Sequence, residues 1–228
     1  QKKQSVTRYL ALGRESLESG QVEHGISMLR RILDLNPDDT DTHEKMIDAL
    51  VRKGDADAAV TEVRALAQQH RETKRPADGL AMAKRASIAL GQRPELRELI
   101  AELTLETGDH IQALMEYEAL AADLAEKGAL ADAVRLYDKM LAIDRENIDA
   151  HFRLAGALTQ LGRTDEAVAR YKALADMLSS SGVLNTSINW QFLITVYEQI
   201  VAIEPNNRTA REWLADAYLA KGEREKGL

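Results

Sequence analysis

The chain has 228 residues and no cysteine, with a formal net charge of −7, 29% charged residues and only 4% aromatic ones. The acidic balance argues against nucleic acid as partner, since that binding rests on Lys and Arg neutralising phosphates, and without cysteine neither disulfides nor thiolate chemistry is available. No apolar run approaches the roughly 18 residues of a membrane helix and no signal peptide is visible; the compartment stays open, with the cytoplasm slightly favoured.

Helical periodicity begins with Thr7 to Ser19, through Tyr9, Leu12 and Leu17; Gly20 breaks it, and Val22 to Leu35 resumes with Ile26, Leu29, Ile32 and Leu33. Asn36 and Pro37 stop this second helix, because proline cannot continue it and restricts the residue before it. The next helix starts near Asp41 or Thr42 and runs to Lys53. Gly54 and Asp55 make a turn, and Ala58 to Gln69 forms its partner. Asp78 to Leu90 is the weakest helix of the pattern, with alanines at the large positions. Asp109 and His110 cap a helix running to about Lys127. Further turns fall near 72–76, 92–93, 108, 128, 145, 162, 179–189 and 205–206, and the last helix spans Arg208 to Lys221. About twelve helices result, an all-α chain.

The turns repeat. Gly54, Gly108 and Gly162 are 54 residues apart; Ala59, Ala113 and Ala167 follow five later, Val63, Tyr117 and Tyr171 nine later, and Leu66, Leu120 and Leu174 twelve later. A chain that repeats its turn residue and its packing residues at one period is a stack of similar units, each buried against its neighbours.

Gly20 and Gly54 are 34 residues apart. In the first unit Tyr9, Leu12, Gly13, Ser16, Gly20, Gly25, Leu29, Ile32 and Pro37 fall at set offsets. In a later one the slots hold His151, Leu154, Ala155, Leu158, Gly162, Ala167, Tyr171 and Leu174. In these residues the chain resembles the tetratricopeptide-repeat family, whose unit is a 34-residue pair of antiparallel helices. The resemblance implies a right-handed α-solenoid of about twelve antiparallel helices, with hairpins at about 6–39, 40–75, 76–108, 109–146, 147–182 and 183–222. The 54-residue step departs from the simple pattern and implies a third helix per unit. The beginning at Gln1 and the uncapped last helix, with Leu214, Ala217 and Tyr218, imply a fragment of a longer bacterial protein.

No nucleophile–base pair, phosphate-cradling glycine run or metal-ligand spacing is visible, and His24, His43, His70, His110 and His151 show no paired arrangement. No enzyme, cofactor or metal is therefore expected; His43, His151, Trp190 and Trp213 read as packing residues. The resemblance instead implies a protein–protein interaction scaffold. Its first-helix slots that would face a groove are Asp41, Glu44 and Asp48, then Glu95, Glu98 and Glu102, then Thr209, Glu212 and Asp216. Asp149, Phe152 and Gly156 break the pattern. An acidic groove would steer a basic protein or peptide; as acids also favour helix N-termini and solvated faces, the slots alone do not establish it. The family's Lys/Asn clamp for peptide carboxylate termini is not matched by Thr7, Leu10 and Arg14. Residues 71–97 are basic, carrying Arg71, Lys74, Arg75, Lys84, Arg85, Arg93 and Arg97, and Arg75 and Arg85 are candidates to dock an acidic partner. The polar stretch 179–189, with Val183, Leu184 and Ile188, marks either a binding loop or a cover for the hairpin beneath. The alternative function is self-assembly, a homo-oligomer stacking through its terminal helices.

Overall fold

The computed structural model describes residues 2–180 and 187–222. Among them are twelve helices and no strand: α1 (Lys2–Glu18), α2 (Val22–Leu35), α3 (Thr40–Lys53), α4 (Ala56–Glu72), α5 (Pro76–Leu90), α6 (Pro94–Glu106), α7 (His110–Glu126), α8 (Leu130–Ile143), α9 (Ile148–Gln160), α10 (Thr164–Ser180), α11 (Ser187–Ile203) and α12 (Arg208–Lys221). Local chemistry sets their ends. Asp39, Asp55, Asn147 and Asn207 accept from the first-turn amides of Thr42, Ala58, Ala150 and Ala210, satisfying donors the helix itself leaves open. The expected cap at Asp109 is present, its carboxylate accepting from Gln112 N at 3.0 Å. Pro76 and Pro94 stand in the first turns of α5 and α6, where a missing N–H costs nothing. Gly54 ends α3 at φ 79°, a left-handed cap that a side chain would strain.

Two compact units divide the chain, Gln1–Glu116 and Tyr117–Leu228, the division falling inside α7. In the first, each helix from α1 to α6 packs on the next, while α3 also touches α5 and α4 touches α6. Alternate helices therefore share a layer. In the second, α8 packs on α9, α9 on α10, α10 on α11 and α11 on α12. This succession of antiparallel neighbours is tetratricopeptide-like solenoid packing. The repeated residues are its core: the Ala59, Val63 and Leu66 set and both later copies are 2% exposed or less. Each such buried Leu or Val contributes roughly 1.5–3 kcal/mol. Close approach is built the same way. A Cβ on Gly25 would stand 2.6 Å from Leu17, so α1 and α2 meet through a missing side chain.

Several expected boundaries move. Helix α1 starts at Lys2 rather than Thr7, because its polar first turn gives no apolar period but is fully compatible with helix. In it Leu12 is 38% exposed and Ser16 is buried, its Oγ donating back to Leu12 O at 2.7 Å. The stretch 179–189 is not all loop. Ser179 and Ser180 close α10 by donating to Ala175 O and Met177 O, and Ser187 opens α11; Val183 and Leu184 lie outside the described residues, as does the side chain of Ile188. Trp190 is half-buried against the second unit's core. Trp213, expected in the core, is 37% exposed with one face on Tyr197, ring centroids 5.8 Å apart. In α12, Ala217 is buried, and Leu214 and Tyr218 are half-buried. Tyr218 Oη donates to Glu198 at 2.6 Å.

Candidate functional site

Helices α3 and α5 share a layer of the first unit, and between them runs a cleft of about 330 Å³. Its floor is Ile47, Val51, Met82, Ala86 and Ala89; its rim carries Glu44, Asp48, Arg52 and Arg85. The floor arises because α3 and α5 each turn an apolar stripe inward; Ile47, Met82 and Ala86 are buried, Val51 is half-buried and Ala89 is exposed. Across the cleft Arg85 Nη2 meets Glu44 Oε1 at 3.2 Å. The side chains are 68% and 47% exposed, so the pair contributes little to stability; its effect is to tie the two walls. Asp48 and Arg52 stand one turn apart on α3, exposed and without ion-pair partners among the described residues.

Two expectations meet here. Glu44 and Asp48 are acidic slots, and Arg85 belongs to the basic stretch, yet they line one cleft. Its rim holds two acids and two bases, so it is charge-balanced rather than acidic. Asp41 lies one turn earlier on α3 and pairs with Lys45. The second acidic triad sits elsewhere, on α6, in the other layer from α3. Glu95 faces Arg93 at 3.8 Å, and Glu98 is half-buried. Glu102 joins Glu106 in holding Arg71 of α4, at 3.1 and 2.8 Å. The two triads therefore do not line one groove. Burial disfavours the charge of Arg71, but the bonds from Glu106 and Glu102 outweigh it and raise its pKa. The basic stretch is largely spent internally: Arg71 on α6, Arg75 on Asp78, Arg85 on Glu44 and Arg93 on Asp57.

Arg52 was not among the expected site residues. The available signal was its place four after Asp48, on the same helical face. Met82, Ala86 and Ala89 gave no signal, since an alanine-rich helix reads as packing. In the second unit the slots that broke the acidic pattern also line a cleft. Asp149, Phe152 and Gly156 of α9 stand with Tyr137 of α8 around about 370 Å³.

His43, His70 and His151 lie within the packing. His43 Nε2 faces Pro37 O at 2.7 Å and Nδ1 faces the Glu62 carboxylate of α4. His151, 108 residues later, repeats the first contact on Arg145 O at 3.0 Å, while its Nδ1 is buried without a partner. His70 is buried, and burial lowers its pKa. Among the described residues no cluster of His, Cys, Asp or Glu has the grouping of a metal site, and no helix is long and apolar enough to cross a membrane.

Residues 124–177 match the tetratricopeptide repeat family model. Three solved structures are similar along much of the chain. A MamA protein shares 15% identity, covering 99% of this chain and 87% of that one, at a TM-score of 0.21. The nearly identical TPR-like repeats of a Podosopora anserina putative kinesin light chain share 19%, covering 78% and 96%, at 0.34. BtubC (BKLC) from P. vanneervenii shares 14%, covering 91% and 84%, at 0.39. These low scores leave the fold resting on the helix packing described above. No curated protein matches.

Proposed function

We propose that this tetratricopeptide-repeat chain is a non-catalytic scaffold that holds a segment of a partner protein in the α3–α5 cleft. The observation that carries the reading is the apolar-floored cleft beside two charges of opposite sign, Asp48 and Arg52, that have no ion-pair partner among the described residues. A segment that seats an apolar side chain on Met82 and Ala86 can place a Lys or Arg on Asp48 and an Asp or Glu on Arg52. That pattern replaces the uniformly basic partner expected from an acidic groove, because Arg52 and Arg85 offset the acids. Affinity would come from the floor and orientation from the charges.

Selection from a random peptide library tests this. The wild-type chain should enrich an apolar residue flanked by one basic and one acidic residue. The charge-swapped Asp48→Arg, Arg52→Asp double variant should enrich the reversed order. An unchanged consensus would reject the cleft as the site.

Self-association through α12 is a second reading, favoured by Trp213 at 37% and Leu219 at 45% exposed on that helix. Light scattering across a hundredfold concentration range should then show a growing mass, and Trp213→Ser should abolish the growth. A constant monomer mass rejects it.

A further inference from the structure

Both layers of the first unit are tied by ion pairs between alternate helices, and the ties differ in kind. In the layer of α4 and α6, Arg71 holds Glu102 and Glu106 at 3.1 and 2.8 Å, and its side chain is only 25% exposed. Arg93, just before α6, adds a pair with Asp57 of α4. In the layer of α3 and α5, Glu44 and Arg85 meet through one contact of 3.2 Å between exposed side chains. Among the described residues no other ion pair links these two helices. A doubly bonded, partly buried guanidinium resists screening, whereas a single exposed pair weakens as salt rises.

Packing divides the same way. Helix α5 is wedged between α4 and α6: a Cβ on Gly79 would stand 3.4 Å from His70 Cβ and 3.5 Å from Leu103 Cδ2. These three helices form a close-packed block, with Leu66, Ala67, Ala83 and Leu103 buried between them. Helix α3 is held to the block by its apolar stripe and by His43, whose ring faces the Glu62 carboxylate of α4. With Glu44 released, α3 stays pinned at His43 and is free to roll away from α5.

We propose that the Glu44–Arg85 pair is a salt-sensitive strap across the mouth of the α3–α5 cleft, closing α3 against a fixed block of α4, α5 and α6. At low ionic strength the strap holds the two walls together. As ionic strength rises the pair is screened, α3 rolls outward and the mouth over Met82 and Ala86 widens, a hinge motion with its axis on α4. An exposed pair moves the balance between shut and open by no more than about fivefold, so the device grades access instead of blocking it. The strap rests on the scaffold reading only in that the opening it controls is the same cleft.

The chain has no cysteine, so spin labels attach only where one is introduced. Lys45→Cys with Ala81→Cys reports the α3–α5 distance, and Ala65→Cys with Glu95→Cys the α4–α6 distance, all four positions being exposed. Pulsed electron double resonance reads both from about 0.01 to about 1 M salt, over which the Debye length falls from about 30 to about 3 Å. The longer α3–α5 population should grow by up to about fivefold over the shorter, while the α4–α6 distribution stays put. Glu44→Lys should give the long α3–α5 distribution already at low salt, and the swap Glu44→Lys, Arg85→Glu should restore the short one together with its salt response. An α3–α5 distance indifferent to salt and to Glu44→Lys overturns the strap. So does equal lengthening in both layers, which is general loosening. Either result leaves the scaffold reading in place, and an unchanged peptide consensus rejects that reading without touching the strap.

Discussion

Replacing Glu62 by Gln removes the charge from one side of a nearly buried pair: the His43 and Glu62 side chains are 12% and 20% exposed. Both ring nitrogens of His43 face acceptors, Glu62 and the Pro37 carbonyl, and only the doubly protonated ring donates to both. The bond to Glu62 is the main cause that raises the His43 pKa above its ordinary 6.5; burial opposes it, and Asp39 adds attraction. A hydrogen bond to a charged group contributes about 1.5–3 kcal/mol against about 0.5–1.5 for a neutral one, so Glu62→Gln should cost about 1–1.5 kcal/mol while His43 is charged. Because the folded pKa is raised, this stabilisation is complete below the unfolded value near 6.5 and is lost as pH rises through the folded value. His70 acts in the opposite direction. Its folded pKa is lowered by burial, so its penalty develops only as pH falls below about 6.5. Urea unfolding of both proteins in steps from pH 6.5 to 9 therefore isolates His43. The gap between wild type and variant should shrink steadily with rising pH. A gap that stays constant across that range would refute the clamp.

Arg71→Ala should cost about 1–2 kcal/mol, since it leaves Glu102 and Glu106 without the guanidinium that ties α4 to α6; denaturant midpoints measure it, and no loss would mean the clamp is screened away. Leu66→Ala should cost about 2–5 kcal/mol, as the side chain is fully buried in the first unit's core; a cost below 1 kcal/mol would contradict that packing. Gly54→Ala should destabilise by about 1 kcal/mol through its φ of 79° alone, nothing lying within 4 Å of the added Cβ. A stabilising outcome by thermal unfolding would contradict the left-handed cap.

The helices were legible because punctuation and packing repeat together. Gly54, Gly108 and Gly162 all take positive φ, and the residues set behind them are buried at every copy. Ends were less legible where polar residues continue a helix, as at Lys2 to Thr7 and at Ser179 and Ser180. There the backbone or a hydroxyl bonding back to it completes the turn without any apolar signal. The site was legible by residue but not by assembly. A 54-residue step carries the acidic slots from α3 to α6, and alternate layering then separates them, whereas Arg85, read as part of a rival basic patch, faces Glu44. Pairing across helices depends on which layer each occupies, and residue spacing along one helix does not encode it.

The α3–α5 cleft is the proposed seat of a partner segment. The most direct measurement titrates the peptide most enriched by the wild-type chain into nitrogen-15-labelled protein. Saturable shifts should centre on Ile47, Val51, Met82 and Ala86, and should vanish in the Asp48→Arg, Arg52→Asp variant. Tight binding with those four amides unmoved would contradict the account.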